Sequence, residues 1–154
     1  MRCRWFLVIC WCVTACCFQT SAATGRVVKV LPHYLDLQGR HTLTPSLYDR
    51  DAYQARLRQH PEQRSGVRFD VQWKTKGVAW SPLVLRLELR GVLEGNAPKE
   101  MVLEEEAGGH GFFSHWTKLV LEGDDYKKFG EFTAWRATLW EGDTLLGEQK
   151  SFLW

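Results

Sequence analysis

The sequence predicts a mainly β fold: an antiparallel two-sheet sandwich of about seven strands, with one short helix inserted after the first strand. Two observations predict it. Apolar and polar residues alternate over residues 67–74 and again over residues 83–90, and glycines recur between such segments. Alternation with period two turns one side-chain face to a core and the other to water, as in antiparallel strands. Short strands at this spacing, with turn signals between them, indicate a sandwich.

Further strands are predicted on both sides of these two segments. The first covers residues 26–31, and an extension to Leu37 stays open. Two more follow at 101–104 and 116–122. The last two, 131–140 and 145–154, are joined by Glu141-Gly142-Asp143-Thr144. Glycine and aspartate tolerate the positive φ angles of tight turns, so this pair is predicted to form a hairpin.

The helix is predicted over residues 46–59. Ser46 is placed to cap its first turn. Apolar positions with helical spacing would form its buried face: Ala52, Tyr53, Ala55 and Leu57.

The N-terminus has the order of a secretory signal peptide. Arg2 and Arg4 precede an apolar stretch over residues 5–18, and small residues follow. The stretch is shorter than the roughly 20 residues that span a bilayer. We therefore expect residues 1–23 to be removed by cleavage after Ala23, which leaves one β-sandwich domain over 24–154 in the periplasm or outside the cell.

A second fate of the leader stays open. Val13-Thr14-Ala15-Cys16 resembles the lipobox of bacterial lipoproteins, in which the cysteine is lipidated. Lipidation at Cys16 would tether the domain to a membrane surface instead of releasing it.

All five cysteines lie in this leader, which restricts the chemistry of the mature domain. Without thiols the domain has no disulfide framework, thiolate metal site or cysteine nucleophile. Its lysines and arginines, once Arg2 and Arg4 are removed, equal the 18 acidic residues in number. A balanced charge disfavours a nucleic-acid partner, which normally selects a basic excess.

Candidate binding residues are aromatic side chains in predicted loops and on the helix. Trp80 and Trp116 lie beside turn-rich segments, where an exposed indole ring can stack on a sugar or contact a protein. Tyr53 and Arg56 lie on the helix, and tyrosine and arginine are enriched at protein interfaces.

We predict no cofactor, no metal and no catalytic residue. His110 and His115, on a glycine-rich segment, are the residues that would approach a metal ion, but zinc needs three or four ligands and the spacing is not diagnostic. The acidic pairs and triplets lack the alternation of a calcium loop. No serine lies in a Gly-x-Ser-x-Gly elbow, so we do not expect an enzyme.

The order of elements resembles immunoglobulin-like and fibronectin type III-like sandwiches, and the whole chain looks like a small exported bacterial protein of that architecture. Trp73 would be the buried core tryptophan, and Tyr126 precedes the sixth strand where a tyrosine corner would lie. We expect a binding or structural module of the cell envelope, whose partner is another envelope protein or a glycan. The alternative is a carbohydrate- or metal-binding accessory domain. The oligomeric state stays open.

Overall fold

The computed structural model describes residues 23–77, 81–93, 97–108 and 113–154. Within these ranges a short 3₁₀ turn, Pro61–Gln63, precedes the second strand. The helices and strands are β1 (Thr24–Asp36), α1 (Leu47–Gln59), β2 (Arg64–Lys76), β3 (Leu83–Leu93), β4 (Ala97–Glu106), β5 (His115–Glu122), α2 (Gly123–Phe129), β6 (Glu131–Glu141) and β7 (Thr144–Lys150).

The strands form two antiparallel sheets. Sheet A has the order β1-β2-β5, and sheet B has the order β4-β3-β6-β7. The prediction of a mainly β, two-sheet fold with about seven strands is therefore confirmed at this level.

The core lies between the sheets and is made by the predicted alternation. The inward residues of β2 and β3 are each at most 1% exposed: Val67, Phe69, Val71, Trp73, Leu83, Leu85, Leu87 and Leu89. The Trp73 indole nitrogen donates to the Thr117 hydroxyl at 2.9 Å, so the largest core side chain has no unpaired polar atom. Burial of these side chains is the main favourable term of folding.

The sheets meet closely along one side. A Cβ added at Gly147 of β7 would lie 2.8 Å from the carbonyl oxygen of Gly25, and one at Gly25 would lie 2.7 Å from Leu146 Cβ. Glycine at both positions therefore lets the β1 and β7 backbones approach each other. Along the opposite side β5 and β4 are neighbours without being paired.

Helix α1 follows β1 in the chain, and Ser46 caps it by accepting a hydrogen bond from the Asp49 amide. The predicted buried face was wrong in part, because Ala52 and Ala55 are exposed. The residues that face the sheet are Leu57, 1% exposed, with Gln54 and Tyr53. A buried glutamine was not expected because glutamine is usually exposed unless it is hydrogen-bonded.

The prediction of a single helix was wrong, because α2 lies between β5 and β6. Gly123, with a φ of 65°, ends β5 at a conformation that favours glycine. Asp124 follows in the first turn and Lys127 lies in the last, which suits the helix dipole. Tyr126, expected at a turn, lies within this helix and is partly buried.

The last strand is shorter than predicted. β7 ends at Lys150 instead of continuing to Trp154, because Ser151 closes the pairing by bonding the Trp135 backbone through its own amide and hydroxyl. The chain then turns, and the Trp154 ring lies 4.1 Å from the Arg90 guanidinium on the outer face of sheet B.

Candidate functional site

The outer face of sheet A is divided into a covered half and a bare half. Strand β2 runs along the middle, with Asp70 and Gln72 among the residues that point outward. On the β1 side, α1 and the segment 37–46 that leads into it cover the face, so that Leu35 and Asp36 are 3% and 4% exposed. On the β5 side, no described element covers it.

The Asp36 carboxylate on β1 hydrogen-bonds both the segment 37–46 and helix α1, which together form the cover of this half of the face. One carboxylate oxygen accepts from the Gln38 and Arg40 amides, and the other accepts from the Tyr53 hydroxyl at 2.7 Å and from the Arg40 guanidinium. Burial by itself would raise the pKa of Asp36, but these hydrogen bonds to the charged form outweigh it and lower the pKa to about 2.

Gln54 joins α1 to the free edge of β1. Its amide oxygen accepts from the Tyr34 amide at 2.8 Å, and its amide nitrogen donates to the Tyr34 and His41 carbonyls. The side chain thus takes the place of a neighbouring strand, which explains why a polar residue is buried here.

Two histidines meet beneath the cover. The rings of His33 on β1 and His41 on the covering segment are 5.5 Å apart, and the His33 Nε2 lies 3.8 Å from an Asp70 carboxylate oxygen. Burial lowers the pKa of His33 below 6.5. Asp70 opposes this shift, and His41, Arg50 and Arg68 reinforce it. The same burial and the same arginines lower the pKa of His41.

The bare half carries two exposed apolar residues of β5, and a third exposed apolar residue comes just before the strand. We call these three residues the β5 stripe: Phe113, Trp116 and Val120. Their side chains are 81%, 50% and 41% exposed. Trp116 lies opposite Gln72 on β2, and Val120 lies opposite Arg68. Both therefore point away from the core, while Thr117 and Leu119 between them point inward.

Below the stripe, His115 packs on the core tryptophan. Its ring stacks on Trp73 with 4.9 Å between centroids, and its buried Nε2 has no hydrogen-bond partner among the described residues. No group of three histidine, aspartate or glutamate side chains suited to a metal ion exists within the described ranges. His110 lies outside the described residues.

Of the other predicted site residues, only the two on the helix can be placed relative to Trp116. Trp80 and Cys16 lie outside the described residues, and so does the leader up to residue 22, leaving Ala23 as the first residue described. Arg56 is exposed on α1, whereas Tyr53 is half-buried by its bond to Asp36. α1 packs on β1, so neither lies next to Trp116 on β5.

Sequence reasoning missed a polar network around the buried Arg64 side chain at one end of the sandwich. Arg64, with its side chain 3% exposed, bonds the Leu57 and Arg58 carbonyls and pairs with Glu131, which also accepts from the Tyr34 hydroxyl. Burial raises the pKa of Tyr34, and the hydrogen bond to Glu131 raises it further. The network joins β1, β2 and β6. Because each of these groups already has hydrogen-bond partners, few of its donors and acceptors remain available to a ligand. Long-range pairing of this kind leaves no signal in local sequence.

The charged side chains on the outer face of sheet B are paired with one another, and Val102, 55% exposed, and Leu145, 47% exposed, lie on the same face. Its ion pairs cross neighbouring strands: Arg86–Glu104, Arg90–Glu100, Arg136–Glu88 and Arg136–Glu148. Trp140, on this face, lies near the Arg86 guanidinium and donates its indole N–H to Thr138. Trp140 therefore points outward from β6, whereas Trp135 packs against the core.

Comparison with family models, with curated proteins and with solved structures finds no match for this chain. Among the described residues, neither helix has the length and apolar character needed to cross a membrane.

Proposed function

We propose that this chain is an exported, non-enzymatic β-sandwich that acts as a binding module of the cell envelope, and that the β5 stripe is its contact surface for another envelope protein. The observation that carries the proposal is the exposure of Trp116 and Val120 on a folded strand and of Phe113 just before it. Trp116 and Val120 share the outer face of β5, with Lys118 between them, and exposed apolar side chains on one face can form an interaction surface. Tryptophan contributes more binding energy at such surfaces than most residues.

The fold assignment within this proposal is an immunoglobulin-like or fibronectin type III-like sandwich. The order β1-β2-β5 and the pairing β3-β6-β7 support it, since the constant-type immunoglobulin sandwich pairs its first, second and fifth strands, and its third, sixth and seventh. The fourth strand differs, because β4 pairs with β3 rather than with β5. Trp73 is buried in the core but lies on β2, whereas the core tryptophan of immunoglobulin domains lies on the third strand.

Site-specific photo-crosslinking in the cells that express the protein tests the contact surface. A photoreactive residue at position 116 is expected to give a discrete crosslinked product, identifiable by mass spectrometry. The same residue at position 152 is the matched control, because Phe152 is fully exposed but lies on the C-terminal turn. Equal crosslinking at both positions, or none at 116, would contradict the proposal.

The intact mass of the protein recovered from those cells tests export. A chain that begins at Thr24 supports a released domain, and a chain that begins at a lipidated Cys16 supports a tethered one. A mass that includes the leader contradicts both.

A glycan is the second candidate ligand, because Trp116 lies opposite Gln72 and an indole ring beside an amide can stack on a sugar and hydrogen-bond it. A titration of tryptophan fluorescence against a glycan panel separates the candidates: saturable quenching that Trp116→Ala abolishes would favour the glycan.

A further inference from the structure

The four outermost strands of the two sheets are protected to different degrees. A strand at a sheet edge presents unpaired backbone groups that can pair with another chain. β1 and β7 protect each other through the close approach of Gly25 and Gly147, and Gln54 occupies the β1 edge at Tyr34. On this side of the sandwich the edges are closed.

The edge strand β4 is protected by its composition. Pro98 lacks an amide hydrogen, and Lys99 and Glu105 are exposed charges on the strand. Proline and charge at these positions discourage strand addition.

The edge strand β5 carries exposed charges as β4 does, Lys118 and Glu122, but no proline. It pairs with β2 on one side and, within the described residues, with no strand on the other. It is rich in the branched and aromatic residues that favour strands. Its outward face carries Trp116, Lys118, Val120 and Glu122.

The two charges of this face have no ion-pair partner among the described residues. Lys118 lies opposite Asp70, which Arg68 already engages through both carboxylate oxygens. Glu122 lies opposite Gly66 and is the N-cap residue of α2, but its side chain makes no capping hydrogen bond. Four residues of strand hold the two side chains about 13 Å apart, too far to pair within one chain.

We propose that β5 pairs antiparallel with β5 of a second copy of this chain, about a two-fold axis at Val120. This register places Lys118 of each copy opposite Glu122 of the other, so both charges gain partners at once, and Val120 faces Val120. Centring the pairing on Leu119 or on Leu121 instead places a charged residue opposite Val120. Of these three registers, the one centred on Val120 is self-complementary in charge.

The pairing joins the two copies of sheet A into one sheet of six strands. Both copies of Trp116 then lie on the same outer face, on either side of the axis, so the dimer presents two β5 stripes side by side. This inference goes beyond the proposed function, because it uses the backbone edge and the charges of β5 rather than the apolar side chains.

Charge exchange tests the proposal. The oligomeric state of the purified protein is measured by sedimentation velocity over a range of concentrations, for the parent chain, Lys118→Glu, Glu122→Lys and the double exchange. We expect the parent to dimerise, each single variant to dimerise roughly tenfold more weakly, and the double exchange to restore the parent's affinity. The mixture of the two single variants is expected to dimerise, because positions 118 and 122 are then both acidic in one chain and both basic in the other.

Lys99→Glu on β4 is the matched control, since it makes the same change of charge on the other edge, and circular dichroism verifies folding of each variant. A parent that stays monomeric at its highest soluble concentration overturns the proposal and leaves Lys118 as a charge that protects the edge. Dimers whose affinity ignores the exchange overturn the register. Neither result bears on crosslinking of a different protein at position 116, so the proposed function can stand or fail independently.

Discussion

The two halves of the outer face of sheet A differ in how their side chains are satisfied. On the β1 half, Asp36, Gln54 and Tyr53 form a set of buried hydrogen bonds that hold α1 against the sheet. On the β5 half, Trp116 and Val120 are half exposed and no described element lies over them. The same sheet is therefore closed on one side and available on the other.

The two halves are expected to contribute to different properties, the covered half to stability and the bare half to binding. Buried contacts on the covered half contribute to the free energy of unfolding, because their loss leaves cavities or unpaired polar groups. Exposed side chains on the bare half contribute little to it. Variants in the two halves are therefore expected to have opposite profiles, the first changing stability and the second changing binding.

The largest effect is expected for Leu57→Ala on the covered half. Leu57 is 1% exposed and belongs to the core, so the substitution is expected to lower the free energy of unfolding by about 2–5 kcal/mol. Leu47→Ala in the same helix is the control, because Leu47 is 66% exposed and should change stability by less than about 0.5 kcal/mol. Urea denaturation measures both, and equal effects would mean that α1 does not cover the sheet as described.

The next largest effect is expected for Asp36→Asn, which should lower the free energy of unfolding by about 2 kcal/mol at neutral pH. This figure follows from the difference between the unfolded pKa of 3.8 and the folded pKa of about 2. Because the folded pKa is lowered, this stabilisation is present above pH 4 and is lost as the pH falls from about 4 to about 2. The gap between parent and variant should therefore close over that range. Tyr53→Phe, which removes one of the donors, should have a smaller effect of the same sign. A gap that does not change with pH would contradict the assignment.

A smaller effect on the free energy of unfolding is expected for His33→Gln, between pH 7 and pH 5. Burial lowers the pKa of His33 in the folded state, so the unfolded chain binds more protons as the pH falls below 6.5, and stability decreases. His33→Gln should reduce this decrease. Denaturation curves at several pH values measure it, with Asp70, His41, Arg50 and Arg68 left in place. A parent and a variant with the same pH dependence would place the acid sensitivity elsewhere.

The smallest effect on stability, and the largest on binding, is expected for Trp116→Ala. Its side chain is 50% exposed on the bare half, so the free energy of unfolding should change by about 0.5 kcal/mol or less. The crosslinked partner found at neighbouring positions of β5 should be lost. A strongly destabilised variant would show that Trp116 belongs to the fold rather than to a contact surface.

Much of the fold was predictable from the sequence because its strongest signals are local. The alternation around Phe69 and Leu87 needs only the period of a strand, and the Ser46 cap needs only the first turn of a helix. The capacity of β5 to turn Trp116 outward also follows from alternation. These features depend on residues within a few positions of each other.

The rest depends on residues that meet only after folding. A glutamine in a helix is expected to face solvent, but the Gln54 side chain is buried because it hydrogen-bonds the Tyr34 backbone at the edge of β1. Ala52 and Ala55 are apolar but small, and they face solvent instead. The α2 helix was not predicted because a seven-residue helix is stabilised by tertiary packing of Phe129 more than by its own propensity. Local patterns were thus enough to predict the strands and the inward and outward faces of most of them. Which half of sheet A is covered could not be predicted in this way, because it depends on hydrogen bonds between groups up to 20 residues apart.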